Sequence, residues 1–247
     1  MGTNSNSEVG HAKNVANFED LIAYCTAYGT TYNPPKPILQ ITSLSNLFNT
    51  AQTELTNVTT AKNTFDTVTG DRQALFENLK PLATKIINFL AVTDASDQTI
   101  ADAKTINNKL QGRRATAPTE TITPEGKTET NTVSVSRQSY DMLTENFSAL
   151  IDLVGSISTY TPNETELTIA ELKAYLQTLQ TANTNVTNAE VAYSNARISR
   201  DNILYGDGTG LVDISSDVKK YVKAIFGATS PEYKQISDLE FKIRKGE

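Results

Sequence analysis

The sequence predicts an all-α protein with two similar halves, each an antiparallel bundle of about four helices that includes one long helix. Three observations lead to this prediction: an internal repeat, long stretches of apolar residues at helical spacing, and proline- or glycine-containing breaks between those stretches. Fourteen of forty-five aligned positions are identical between residues 32–76 and 160–204, an offset of 128 residues. Shared composition alone would give far fewer identities, so we interpret the repeat as an internal duplication.

A chain of 247 residues is long enough for two domains of ordinary size. We predict a disordered N-terminal tail at residues 1–13, a helical repeat at 14–112, a linker or mobile loop at 113–135 and a second helical repeat at 136–247. The linker segment contains prolines, threonines and glutamates but few large apolar side chains. Such a composition buries too little surface to offset the entropy of ordering.

In the first half, apolar spacing predicts a helix over residues 14–28, which Gly29 can end in a left-handed conformation. The prolines of segment 32–37 exclude a helix, because proline lacks an amide donor and restricts the residue before it. From Thr42 to Phe89, apolar residues recur in steps of three and four. This seam predicts a long helix that Pro81 kinks or breaks.

A short helix over residues 100–110 completes the first half. The second half repeats the plan, with a helix at 138–158 and a long helix from Thr168 to about Tyr205. The glycine-rich loop 206–210 then breaks this helix. A serine cap followed by a proline predicts a last helix over 231–243.

The sequence offers little for catalysis or metal binding. It contains one histidine, His11, in the predicted tail, which excludes the paired histidine motifs of di-metal bundles and zinc helices and argues against a catalytic triad. The single cysteine, Cys25, excludes an intrachain disulfide, and its apolar neighbours predict a buried, inert thiol. Loop 206–210 lacks the endings of a phosphate-binding loop or a calcium loop. We predict no enzymatic activity, no cofactor, no metal site and no small-molecule substrate.

The net charge of −6 and the acidic pI argue against nucleic-acid binding. The first residues lack the pattern of a signal peptide, and the longest apolar stretch is too short for a membrane span, so we expect a cytoplasmic protein.

The leading hypothesis is a non-enzymatic structural or interaction protein, whose long faces rich in Thr and Asn contact a protein partner or a second copy.

The alternative hypothesis is a membrane-active, pore-forming type of helical protein. Residues 218–227 motivate it, because they place lysines opposite an apolar face, as membrane-surface helices do. The same pattern is typical of a bundle helix that buries its apolar face, and we favour that interpretation.

Five residues are candidates for a structural or interaction role. Arg72 and Arg200 occupy the same seam position in the two halves, where an apolar residue is expected. If they are buried they need acidic partners, because an unpaired interior charge is costly. Tyr221, Phe226 and Tyr233 are the aromatic candidates near the C-terminus.

One resemblance adds to this picture. Residues 222–236, together with Tyr32–Pro34 and Tyr160–Pro162, resemble a group of uncharacterised bacterial helical proteins of about this length. The resemblance covers most of the chain and implies a bacterial origin. It implies no activity and carries no functional residue over to this chain.

Overall fold

The computed structural model describes residues 5–113 and 138–243, with side chains from Val9 onward, and this part of the chain is helical without any strand. The all-α prediction is confirmed. The helices are α1 (Ser5–Ala27), α2 (Ile41–Glu77), α3 (Leu79–Leu90), α4 (Asp97–Gln111), α5 (Tyr140–Gly155), α6 (Ile169–Tyr205), α7 (Leu211–Phe226) and α8 (Pro231–Ser237), with short 3₁₀ turns at Gly29–Thr31, Pro37–Leu39 and Thr165–Leu167. The predicted linker at 113–135 lies outside the described residues, except for Arg113.

The first helix begins earlier than the sequence indicates. Residues 5–13 belong to α1, and His11 within them is only 1% exposed. A disordered tail is therefore wrong for this stretch, while residues 1–4 lie outside the described part. The stretch looks too polar for a buried helix, yet polar side chains can be buried when they find hydrogen-bond partners elsewhere in the chain.

The two long helices, α2 and α6, have 37 residues each, which corresponds to a length of about 55 Å at the α-helical rise. The predicted break near Pro81 falls at Asn78, between α2 and α3. Pro81 lies in the first turn of α3, where its missing amide costs nothing because the first amides of a helix have no partner within the helix. α6 ends at Tyr205, as predicted, directly before the glycine-rich loop.

Serine caps start three of the shorter helices. The Oγ atoms of Ser96, Ser139 and Ser230 accept hydrogen bonds from amides three residues later, at 3.2, 3.3 and 3.1 Å. Ser230 and Pro231 begin α8 as predicted, but the helix ends at Ser237 rather than at residue 243. Residues 238–243 follow without regular secondary structure.

The chain forms two compact units. Unit 1 comprises Met1–Phe65 and Ala189–Glu247, and unit 2 comprises Asp66–Asn188. The contacts therefore group the helices differently from the repeats predicted at 14–112 and 136–247, because each unit takes elements from both halves of the sequence.

Aromatic pairs illustrate this grouping within each unit. In unit 1, the Tyr32 ring meets Tyr221 edge to face, with centroids 5.5 Å apart. In unit 2, Phe89 meets Tyr160 in the same way at 5.2 Å. The unit 1 core includes Phe18, Leu21, Leu44, Leu204, Ile214 and Val218, and the unit 2 core includes Leu79, Ile86, Leu90, Phe147, Leu150 and Leu172.

Candidate functional site

Within 5–113 and 138–243, no group of three or more His, Cys, Asp and Glu residues is placed to hold a metal ion. No helix in the same ranges has the length and apolarity needed to cross a membrane.

The most organised polar site lies in unit 1, where the segment after α8 returns to α1 and α7. We call residues 238–243 the strap, and we call the surface of α1 and α7 that carries Asn14, Asn17 and Lys219 the strap groove. Asn17 Nδ2 donates to the carbonyl oxygen of Glu240 at 2.7 Å. The strap is thus attached to α1 through its main chain.

Asn14 makes the most complete of these contacts. Its Nδ2 atom donates to the carbonyl oxygen of Lys242 at 2.8 Å, and its Oδ1 atom accepts from the Lys242 amide at 3.0 Å. Both main-chain groups of one strap residue are therefore paired by one side chain. Asn14 is only 3% exposed, so its amide depends on this pairing.

Lys219 of α7 holds the beginning of the strap. Its Nζ donates to the carbonyl oxygen of Ser237 at 3.1 Å and to that of Leu239, and it lies 5.4 Å from the centre of the Phe241 ring. Burial lowers the pKa of the Lys219 amine, while the charges of Asp238 and Glu240 oppose that shift. Lys219 therefore binds the carbonyl oxygens of Ser237, the last residue of α8, and of Leu239, which lies in the strap.

His11 lies one helical turn before Asn14 on α1, and both side chains meet the end of α6. The Nδ1 atom of His11 is 2.6 Å from the hydroxyl oxygen of Tyr205, and Asn14 Nδ2 donates to the same hydroxyl at 3.3 Å. The predicted position of His11 in a disordered tail is therefore wrong. His11 and Asn14 are buried and Tyr205 is half-buried, and their contacts join α1 to the end of α6.

The two seam arginines have different surroundings. Arg200 is 1% exposed, and its Nε and Nη2 atoms donate to Oδ1 of Asp201 at 2.9 and 2.8 Å. Arg72 is half-buried in unit 2, and its guanidinium carbon lies 4.0 Å from the centre of the Tyr140 ring. The ion pair compensates the charge of Arg200, whereas Arg72 has the cation–π contact with Tyr140 and its Nε atom is buried without a hydrogen-bond partner among the described residues.

The three aromatic candidates are half-buried in unit 1. Tyr221 lies edge-on to Tyr32, and Phe226 lies edge-on to Tyr28 at 5.2 Å. The Tyr233 ring centre is 5.6 Å from the Nζ atom of Lys223. Arg72 belongs to unit 2, whereas the other four candidate residues belong to unit 1.

Cys25 lies in the core of unit 1, as predicted. Burial raises the pKa of its thiol to about 12, against a smaller opposing effect of its hydrogen bond with Tyr32. A thiol in this state is a poor nucleophile at neutral pH, because the thiolate is the reactive form.

Unit 2 contains a shallow cleft of about 340 Å³ between the end of α2 and the first half of α6. Asp71 is the single charged residue of its wall, and Gln177, Thr181 and Asn185 supply most of its other polar groups. The cleft has the size of a small-ligand site, but it lacks a convergent set of polar or titratable groups.

The strap contacts are the feature that sequence reasoning missed. His11, Asn14 and Asn17 recur every three residues and therefore share one face of α1. This spacing is a usable signal for a polar helical face. It does not reveal that this face contacts the strap, because the strap atoms that bind Asn14 and Asn17 lie more than two hundred residues further along the chain.

The basic amphipathic segment 218–227 also has a structural explanation. Val218 and Val222 are buried in the core of unit 1, and Lys219 on the same helix contacts the strap.

Comparisons with protein-family models, with curated proteins and with solved structures give no match for this chain.

Proposed function

We propose that this chain is a non-enzymatic interaction protein, in which long helical faces contact a protein partner or a second copy of the chain. The observation that carries the proposal is an exposed apolar pair on α6. Val191 and Ile198 are 54% and 57% exposed and lie seven residues apart, so they share one face of the helix.

This face points away from the contacts that α6 makes within unit 1. Tyr193 stacks on Phe65 of α2, with ring centres 6.3 Å apart. Val191 is two residues from Tyr193, about 200° around the helix. The exposed pair therefore belongs to the outer side of α6, where heptad-spaced apolar residues are typical of a helix that receives another helix.

The threonines of the long helices support the same proposal. On α2, the hydroxyls of Thr50, Thr53, Thr56 and Thr59 donate to carbonyl oxygens four residues earlier, and the matching positions on α6 do likewise. Because these donors are already used, a partner meets methyl groups and acceptor oxygens. Such a surface can pack against a protein at a small desolvation cost.

The duplication belongs to the same proposal. We infer that the two halves arose from one ancestral bundle, and that the repeats at 14–112 and 136–247 reflect this origin. Equal lengths of α2 and α6 support the inference, as do their first residues, Ile41 and Ile169, which lie 128 positions apart. A duplicated helical chain offers two related surfaces, which suits an assembly role.

The experiment combines light scattering of the purified protein with a tagged pull-down from the native cell. We expect a discrete oligomer or a stoichiometric protein partner, and we expect the double variant Val191→Lys, Ile198→Lys to lose it. Val92→Lys is the matched control, because Val92 is 81% exposed and lies in the turn after α3. A lone monomer without a partner, or an assembly that the double variant leaves intact, would contradict the proposal.

The membrane-active alternative has less support. Its main feature was the apolar face of residues 218–227, and Val218 and Val222 of that face are already buried in unit 1. Dye release from anionic liposomes tests it directly. Release at micromolar protein would favour this alternative over the interaction proposal.

A further inference from the structure

We propose that the strap groove is a peptide-binding groove that recognises the main chain of an extended segment. In this proposal the strap, residues 238–243, is the resident ligand, and an extended peptide of a partner protein displaces it. The inference rests on the proposed interaction function and gives it a partner class: an extended peptide with apolar residues at alternate positions.

Main-chain recognition is the first argument. The Asn14 amide pairs with both the N–H and the C=O of Lys242, and Asn17 binds the C=O of Glu240. In an extended chain, the N–H and C=O of one residue point to the same side. The side chains of α1 thus take the place of a neighbouring strand, as in complexes where a peptide adds to a sheet edge.

The second argument is the cost of an empty groove. Asn14 is nearly fully buried, and one of its donors and its acceptor pair with the strap. Lys219 uses two donors on strap-side carbonyl oxygens. A groove without an occupant would leave these groups without protein partners, which is unfavourable for groups with little access to water. The groove therefore requires a main chain, but not this particular one.

The side chains of the strap define what a replacement peptide needs. Leu239 and Phe241 are half-buried and pack against the unit 1 core, whereas Glu240 and Lys242 are exposed. On the solvent side, Lys242 Nζ and Glu240 Oε2 form an ion pair at 2.8 Å. Alternate residues therefore face the groove and the solvent, and only the two apolar positions contribute side-chain contacts to the core.

The strap is also suited to exchange. It has no regular secondary structure, and the next apolar side chain, Ile243, is largely exposed. Its attachment consists of a few main-chain hydrogen bonds and two half-buried side chains. A partner peptide that offers the same main-chain groups and larger apolar contacts would compete effectively.

The test uses the full chain and a labelled, acetylated peptide with the sequence of residues 237–243. Binding is followed by fluorescence anisotropy. The double substitution Leu239→Ser, Phe241→Ser weakens the strap without changing the groove. We expect this variant to bind the peptide at least about tenfold more tightly than the unsubstituted chain, whose strap competes for the groove.

Two changes then test main-chain recognition. Adding Asn14→Ala and Asn17→Ala to the strap-weakened chain should reduce affinity at least about tenfold, whereas Glu19→Ala, at an exposed position of α1, should not. A peptide N-methylated at the residue that corresponds to Lys242 lacks the amide donor and should lose affinity similarly. This peptide needs no further change in the strap-weakened chain, so it tests main-chain recognition even if the asparagine variant fails to fold.

The proposal is overturned if the folded, strap-weakened chain does not bind the peptide, or if binding survives N-methylation. Such a failure would leave an assembly that depends on Val191 and Ile198 untouched, so it is distinguishable from a failure of the proposed function. Conversely, the chain could bind the peptide yet remain monomeric and show no partner that depends on α6. That result would support the peptide-binding groove and contradict the proposed α6 interface.

Discussion

The hydroxyl of Tyr32 donates a hydrogen bond to the carbonyl oxygen of Leu39, 2.7 Å away and seven residues later in the chain. Tyr160 makes the corresponding bond to Leu167 at 3.1 Å. In each case the acceptor is the last residue of the 3₁₀ turn that precedes a long helix. Both bonds are buried, so each ties the entry of a long helix to the core of its own unit.

We predict that Tyr32→Phe and Tyr160→Phe each lower the free energy of unfolding by about 1–3 kcal/mol, because each leaves a buried carbonyl oxygen without its donor. Urea denaturation measures the effect. Tyr24→Phe, at an exposed position of α1, is the control and should change stability by less than about 0.5 kcal/mol. Equal stability of all three variants would show that the two bonds do not anchor the helix entries.

Cys25 should resist modification in the folded protein. Its thiol is buried and its pKa is raised to about 12, so we predict almost no reaction with a thiol reagent at pH 8 and full reaction in denaturant. The absorbance of the released chromophore measures both. Rapid reaction of the native protein would contradict the buried position of this side chain.

Raised pKa values also predict loss of stability in alkali. The pKa values of Cys25 and Tyr160 rise from 9.0 and 10.0 to about 12 in the folded protein, mainly through burial. At pH values between the ordinary pKa of each group and its raised pKa in the folded protein, the unfolded chain binds fewer protons than the folded chain. The free energy of unfolding therefore falls as pH rises. We expect the decline to begin near pH 9 and to be less steep in Cys25→Ala. Thermal unfolding at several pH values measures it, and a flat profile from pH 9 to 12 would oppose the prediction.

Two glycines should respond to alanine in opposite directions. Gly70 lies within α2, and a Cβ atom there would meet no heavy atom within 4 Å. Gly70→Ala should raise the free energy of unfolding by about 0.5–1 kcal/mol, because alanine is the better helix former and restricts the unfolded chain.

Gly210, directly before α7, has no such space. A Cβ atom there would lie 2.5 Å from the amide nitrogen of Gly206 and 2.8 Å from its carbonyl oxygen. Gly210→Ala must shift the main chain of loop 206–210 and should lower the free energy of unfolding. Denaturation curves of the two variants, recorded side by side, provide the comparison, and a stabilised Gly210→Ala variant would mean that the loop has another low-energy conformation.

The long helices were predictable because their signals are local. The seam of α6 and the glycines after Tyr205 placed its end at the observed residue, and Ser230 with Pro231 placed the start of α8. The break at Asn78 was missed by three residues, since Pro81 is tolerated in the first turn of a helix and marks no boundary by itself.

The strap was not predictable from local pattern. Asn14 and Asn17 are polar residues of the predicted helix 14–28, and polar side chains on a helix indicate a face in contact with solvent unless their partners are known. Those partners are main-chain atoms of residues 240 and 242. Every residue has the same main-chain atoms, so the sequence does not show which residues the groove binds. The only visible sign of the groove is the spacing of its own asparagines.

The last prediction concerns Arg200. Substitutions can separate the unfavourable free energy of burying its charge from the favourable free energy of its ion pair with Asp201. Its guanidinium is almost fully buried and pairs with Asp201, whose side chain is 30% exposed. Asp201→Asn keeps the shape but removes the negative charge, which leaves a buried cation less compensated. We expect this variant to lower the free energy of unfolding by about 1–3 kcal/mol.

Arg200→Met should cost less than Asp201→Asn, since it removes the buried charge together with the need for a partner and retains an apolar stem of similar length. The combined Arg200→Met, Asp201→Asn variant completes a double-mutant cycle in urea denaturation. If Arg200→Met is the more damaging of the two single changes, the guanidinium stabilises unit 1 beyond its pairing with Asp201. In that case the guanidinium itself contributes to the stability of the fold. Arg72, which occupies the matching seam position and lies over Tyr140 in unit 2, is then the next residue to substitute.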